Sequence, residues 1–142
     1  METPTQSTSV QETKPKMARP GIIIVRSSLD TLDFTVDDLT AWYETKHIPE
    51  VLATGGVESA ARYMCMTPPY PNGPITYLAV YRVPDMNWLH TEECGFWKLP
   101  LTVDDRHGTQ RCIQKLASFG TLYWEILAER TSEGHTVGEC RM

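Results

Sequence analysis

A run of four β-branched residues at 22–25, an amphipathic helix with a full N-terminal cap at Thr35, and two alternating stretches at 75–83 and 121–128 predict an α+β domain. An extended segment over 57–66 and helical spacing from Met86 to Trp97 complete the order strand, helix, strand, strand, helix, strand. That is the split βαβ pattern of ferredoxin-like domains, in which both helices cover one face of an antiparallel sheet. The other sheet face keeps apolar residues, a patch on the order of several hundred Å² that pairing of two copies would cover.

Residues 1–19 are rich in Thr, Ser, Gln, Lys and Pro with almost nothing to bury, and read as a disordered tail. The foldable domain spans 20–130, and 131–142 form a frayed polar tail. The run 22–25 is apolar on both faces, as a central strand covered on both sides would be; Arg26 and Ser27 end it in polar character. Thr35 and Asp38 form a capping box, and Phe34 with Leu39 its hydrophobic staple, so the helix begins near Val36. Leu39, Tyr43, His47 and Val51 then recur every four residues, which points His47 the way the apolar residues point. Pro49 lacks a backbone donor and disfavours the helical region for Ile48, so the helix is expected to kink or stop there. Gly55 and Gly56 close it.

The stretch 67–74 carries four prolines and an Asn-Gly pair, and reads as a long hairpin connection between two strands. Residues 75–83 alternate as a third strand, and Pro84-Asp85 ends it and caps a second, shorter helix up to Pro100, weakened by Gly95. Residues 101–119 yield no regular element beyond a partial helix over 111–117. The fourth strand runs over 121–128.

With 142 residues, 41% hydrophobic and 22% charged, the chain suits one domain with a modest core. A formal charge of −5 and no basic cluster argue against a nucleic-acid or anionic-membrane partner. No apolar run approaches the roughly 20 residues of a membrane span, and no signal-peptide core is present, so a cytoplasmic location is expected. Cys65, Cys94, Cys112 and Cys140 form no C-x-x-C pair and read as reduced thiols. His47, His90, His107 and His135 stand too far apart for a metal motif, and there is no nucleophile elbow, phosphate loop or dinucleotide fingerprint.

His47 is the residue with chemistry to offer: its ordinary pKa near neutrality suits a general base or acid, beside the alternative of a core histidine that merely packs. Tyr43, one turn earlier, could donate to an oxyanion, and Glu50, about one turn later, could orient the imidazole or stand as a solvated charge. Trp42, Tyr63, Tyr81, Trp97 and Trp124 would suit a flat polycyclic ligand or serve as core. Arg26 and Arg62 would hold a carboxylate or phenolate if they face inward, and solvent if they face outward.

Trp42-Tyr43 followed by His47-Ile48-Pro49-Glu50, then Gly56-Val57 and Ala61-Arg62-Tyr63, resemble EthD-type dimeric α+β barrel proteins, and most of all small fungal members of polyketide and related secondary-metabolite pathways. The resemblance covers about residues 21–130 and rests mainly on the motif W-Y-x-x-x-H-x-P. It implies a homodimer whose two sheets form a barrel, a ligand pocket between each sheet and its helices, and His47 as the motif histidine. That superfamily includes cofactor-free cyclases, decarboxylases, dehydratases, isomerases and monooxygenases, and some relatives bind haem; fold does not choose among them. The expectation is a cofactor-free lyase or cyclase acting on a small aromatic or polyketide-like substrate, with His47 and Tyr43 catalytic and Trp42, Arg26, Tyr63, Tyr81, Trp97 and Glu50 holding the substrate. The alternatives are oxygenation of an electron-rich phenol, direct or haem-assisted, and a non-catalytic binding or interaction dimer.

Overall fold

A computed structural model describes residues 17–67, 75–105 and 107–132. The expected tails up to residue 16 and from residue 133, and the Pro-rich connection at 68–74, lie outside the described residues. Four strands form an antiparallel sheet: β1 (Gly21–Leu29), β2 (Ser59–Met64), β3 (Tyr77–Val83) and, last among the described residues, β6 (Ala117–Glu125). Their spatial order is β2-β3-β1-β6, so β1 lies between β3 and β6, as its apolar run predicted. A second, two-stranded sheet pairs β4 (Thr102–Asp104) with β5 (Gln110–Cys112). Among the described residues no helix is long and apolar enough to cross a membrane.

Between β1 and β2 runs a continuous helical segment in three parts: α1 (Val36–Trp42), a π-helical turn (Tyr43–His47) and α2 (Ile48–Ala53). The capping box at its start is formed, with the Thr35 hydroxyl accepting from the Asp38 amide and the Asp38 carboxylate accepting from the Thr35 amide. The expected break at Pro49 does not occur. Ile48 keeps right-handed helical angles, φ −61° and ψ −45°, and Pro49 sits in the first turn of α2, where its missing N–H costs least. The irregularity is displaced one turn earlier: the Ile48 amide donates to the Tyr43 carbonyl, five residues back, and the Thr45 hydroxyl donates to the Ala41 carbonyl at 2.6 Å. The helix ends at Gly55, whose φ of +86° suits glycine, and Gly56 lies flat against the Trp88 ring where a Cβ would collide.

The second expected helix is absent. Residues 86–98 instead form two 3₁₀ turns, Met86–His90 and Phe96–Lys98, with Gly95 between them. Met86, Leu89 and Phe96 have helical spacing, but the intervening glycine and the short apolar repeats favour the tighter, shorter form. The region left unassigned, 101–119, contains the β4–β5 hairpin, a 3₁₀ turn at Ile113–Lys115 in place of the partial helix, and the first residues of β6. β6 therefore begins four residues earlier than the alternation at 121–128 suggested and ends at Glu125.

Burial follows strand parity. The inner face of the sheet carries Ile23 and Ser27 of β1, Tyr77, Ala79, Tyr81 and Val83 of β3, and Ala117 of β6, all buried. They pack against Leu39, Trp42, Tyr43 and Val51 of the helix in one core. Residues of opposite parity, Ile22, Ile24, Leu78, Val80, Leu122 and Trp124, lie on the outer face; Leu122 and Trp124 are 58% and 51% exposed.

Candidate functional site

The helix presents Leu39, Tyr43, His47 and Val51 to the core at 0%, 2%, 8% and 0% exposure. In an unbroken α-helix each step of four residues overshoots a full turn by about 40°, so the last of four such residues would drift away from the first. The wider π-turn takes that drift back, which is why all four stay inward. It also brings Trp42 and His47, five apart, onto one side: their rings stack with centroids 4.5 Å apart and planes within 10°. Tyr43 meets the imidazole edge-on at 5.6 Å.

Trp42 is itself fixed, because its indole N–H donates to the Thr102 carbonyl at 3.0 Å. The same carbonyl accepts from the Lys46 ammonium at 2.8 Å, which ties the helix to β4 at two points one turn apart. Burial pushes the His47 pKa down to about 4, and the nearby Lys46 charge adds to the effect, so the ring is neutral at pH 7. Its Nδ1 is buried and without a hydrogen-bond partner among the described residues.

His47, Trp42 and Tyr43 form one wall of a cavity of about 190 Å³. The sheet supplies the opposite wall through Val25 of β1 and Phe119, Thr121 and Tyr123 of β6. Phe96, Trp97 and Leu99 close one end, and Leu101, Ile113 and Gln114, from the segments flanking the β4–β5 hairpin, close the other. Among the described lining residues none carries a charge at pH 7.

Tyr43 lines the cavity with its ring, while its hydroxyl is hydrogen-bonded to Ser27 on β1. Burial raises its pKa to about 12, opposed by Arg62, whose guanidinium carbon stands 4.6 Å above the Tyr43 ring. Arg62 also donates to the Thr40 hydroxyl at 2.8 Å. The structure thus separates the two arginines. Arg62 of β2 faces the helix, whereas Arg26 is exposed on the outer sheet face and does not reach the His47 cavity. Of the other expected substrate contacts, Trp97 lines the cavity at 56% exposure, and Tyr63, 55% exposed, lies on the outer face. Tyr81 is fully buried behind the helix, where desolvation raises its pKa and its hydroxyl has no hydrogen-bond partner among the described residues. Glu50 is not among the cavity-lining residues; one of its carboxylate oxygens is buried and likewise unpartnered.

Sequence reasoning singled out neither Gln114 and Phe119, which lie in the unassigned stretch, nor Thr121 and Tyr123, which it placed in the fourth strand without a facing. Among the described residues no group of three or more His, Cys, Asp or Glu side chains is placed to hold a metal ion. No family model matches this chain, and no curated protein or solved structure matches it either.

Proposed function

We propose that the protein is a cofactor-free acid/base enzyme that cyclises, dehydrates or decarboxylates an aromatic or polyketone intermediate, in the manner of the EthD-type proteins its helix motif resembles. The observation that carries this reading is a neutral, buried imidazole set in the wall of an apolar cavity by a π-helical turn. Such turns recur at functional sites, and the imidazole is unprotonated at pH 7; burial makes it a weak base, so proton transfer to it depends on the negative charge that the transfer itself creates beside it.

In this mechanism His47 removes an acidic C–H or phenolic proton and becomes imidazolium beside the enolate or phenolate it has created. The anion and cation then stabilise each other against the buried His47 wall, where water screens them less than in bulk. Tyr43 contributes its ring to the wall beside His47, its hydroxyl being hydrogen-bonded to Ser27 on β1. For ring closure the enolate carbon bonds to a ketone carbon of the same molecule. The resulting alkoxide recovers the proton from His47, and loss of water completes an aromatic ring. The apolar walls hold the folded conformer in which the reacting carbons meet.

The strand order β2-β3-β1-β6 supports a ferredoxin-like half of a dimeric barrel, and the exposed Tyr63, Leu122 and Trp124 on the outer face support a homodimer. The test is His47→Ala assayed on a panel of aromatic polyketones: turnover falls by a factor of about 10² to 10⁴ while oligomeric state and melting temperature hold. An active variant rejects the proposal. A variant that unfolds assigns His47 to packing instead.

A further inference from the structure

Every positive charge that the helix and sheet bring toward the cavity is occupied or turned away. Lys46 is bonded to the Thr102 carbonyl at 2.8 Å and to its hydroxyl at 3.1 Å. Arg62 donates to Thr40 through one terminal nitrogen, its Nε is buried without a hydrogen-bond partner among the described residues, and its guanidinium lies over the Tyr43 ring, outside the cavity lining. Arg26 stands on the opposite face of the sheet. What remains inside are aromatic and aliphatic surfaces with a few uncharged polar groups, His47, Gln114, Thr121 and Tyr123.

From this we infer that the cavity takes its ligand uncharged: a neutral phenol, enolisable ketone, ester or lactone, with no ionised carboxylate or phosphate on the part that enters. An anion set against the buried wall of Trp42, Tyr43, His47 and Ile113 loses hydration on that side and gains no countercharge, and desolvating a charge without a partner is disfavoured. A neutral ring or polyketone loses little, since its carbonyl or hydroxyl groups meet the amide of Gln114 or the hydroxyls of Thr121 and Tyr123. His47, neutral in the unliganded protein, offers no resident cation to an incoming acid. Charge then arises only after proton transfer, when imidazolium and enolate appear together. The inference rests on the proposed function and narrows it to cyclisation or dehydration, since a decarboxylase must admit the carboxylate it removes: a free polyketo acid would have to be esterified, lactonised or decarboxylated before binding here.

The test is equilibrium binding of three probes of similar shape to the full chain at pH 7.5: 2-naphthol, methyl 2-naphthoate and 2-naphthoate. Trp42 and Trp97 line the cavity, so quenching of tryptophan fluorescence reads occupancy. Both neutral probes are expected to bind at least tenfold more tightly than the carboxylate. Thr121→Trp and Gln114→Trp, each an exposed lining position where a larger side chain need not disturb the core, are expected to weaken naphthol binding at least tenfold. Carboxylate binding as tight as that of the ester, and sensitive to these variants, overturns the inference while leaving the cavity a ligand site. If no probe binds, or if binding ignores both variants, the inference and the proposed function fall together.

Discussion

On β1 the inner residues Ile23 and Ser27 are at most 2% exposed, while Ile22 and Ile24 on the opposite face are only partly covered, and β3 repeats the contrast between Ala79 and Val80. The same strands therefore build two surfaces of similar composition and different character. The inner one is closed by the helix over its centre and opens at β6, where Thr121 and Tyr123 face the cavity, and at the end of β2, where Met64 is exposed. The outer one has no element of the described chain over it and exposes Tyr63, Leu122 and Trp124. One surface is finished within a single chain and the other is apolar without being finished. Under the proposed function, the inner surface is the ligand side and the outer one the side of association.

The largest effect separating the two faces is expected in stability. Ile23→Ala removes a fully buried side chain and should cost about 2–5 kcal/mol in chemical denaturation, whereas Ile24→Ala measured at monomer concentrations should cost less than about 1 kcal/mol. Equal costs would mean the outer face is already packed. Next comes pH. The unfolded chain binds a proton at His47 near its ordinary pKa of 6.5, and the native protein refuses it until about pH 4. Stability at this site is thus whole above 6.5 and is lost as the pH falls toward 4, with a ceiling of about 3 kcal/mol. His47→Gln should lack that component of the acid loss, and an identical acid profile for the two proteins would remove the buried neutral histidine from the account.

On the outer face, Leu122→Glu with Trp124→Glu should weaken self-association by about 100-fold or more in sedimentation, from burial of like charge, with little change in naphthol affinity. If association is unaffected, the outer face is not the dimer surface. The smallest effect is electrostatic and internal. Lys46→Met removes the cation that depresses His47, so the imidazole pKa followed by NMR should move upward from about 4, by less than burial holds it down. A downward movement would reverse the assigned role of Lys46.

The inward face of the helix and the central position of β1 were legible because each rests on a period repeated several times. Leu39, Tyr43, His47 and Val51 carry one, and the run at 22–25 the other. The β4–β5 hairpin was not, since two strands of three residues offer no period to read. Which arginine faces the helix was equally hidden. The apolar run is hydrophobic on both faces, so the parity of Arg26 could not be read from β1 alone, and one residue of register exchanges the two faces. Pro49 was read as the break because proline is the visible irregularity. The backbone instead absorbs the missing donor one turn upstream, where nothing in Tyr43–His47 marks a π-turn. For the site this means that His47 and Tyr43 could be singled out from spacing, whereas the stacked role of Trp42 depends on a turn that spacing alone would place out of reach.

The atom that holds Trp42 and Lys46 in place is a main-chain oxygen, that of Thr102. A carbonyl is present whatever amino acid occupies the position, so the indole's anchor is inherited with the backbone path of β4 and is blind to the letter at 102. Drift at that position can loosen the lysine, which also touches the threonine hydroxyl, without releasing the tryptophan. The most heavily used fastening in the site would therefore leave no signature in a comparison of sequences, and insertions that shift the hairpin would disturb it more than any substitution within it.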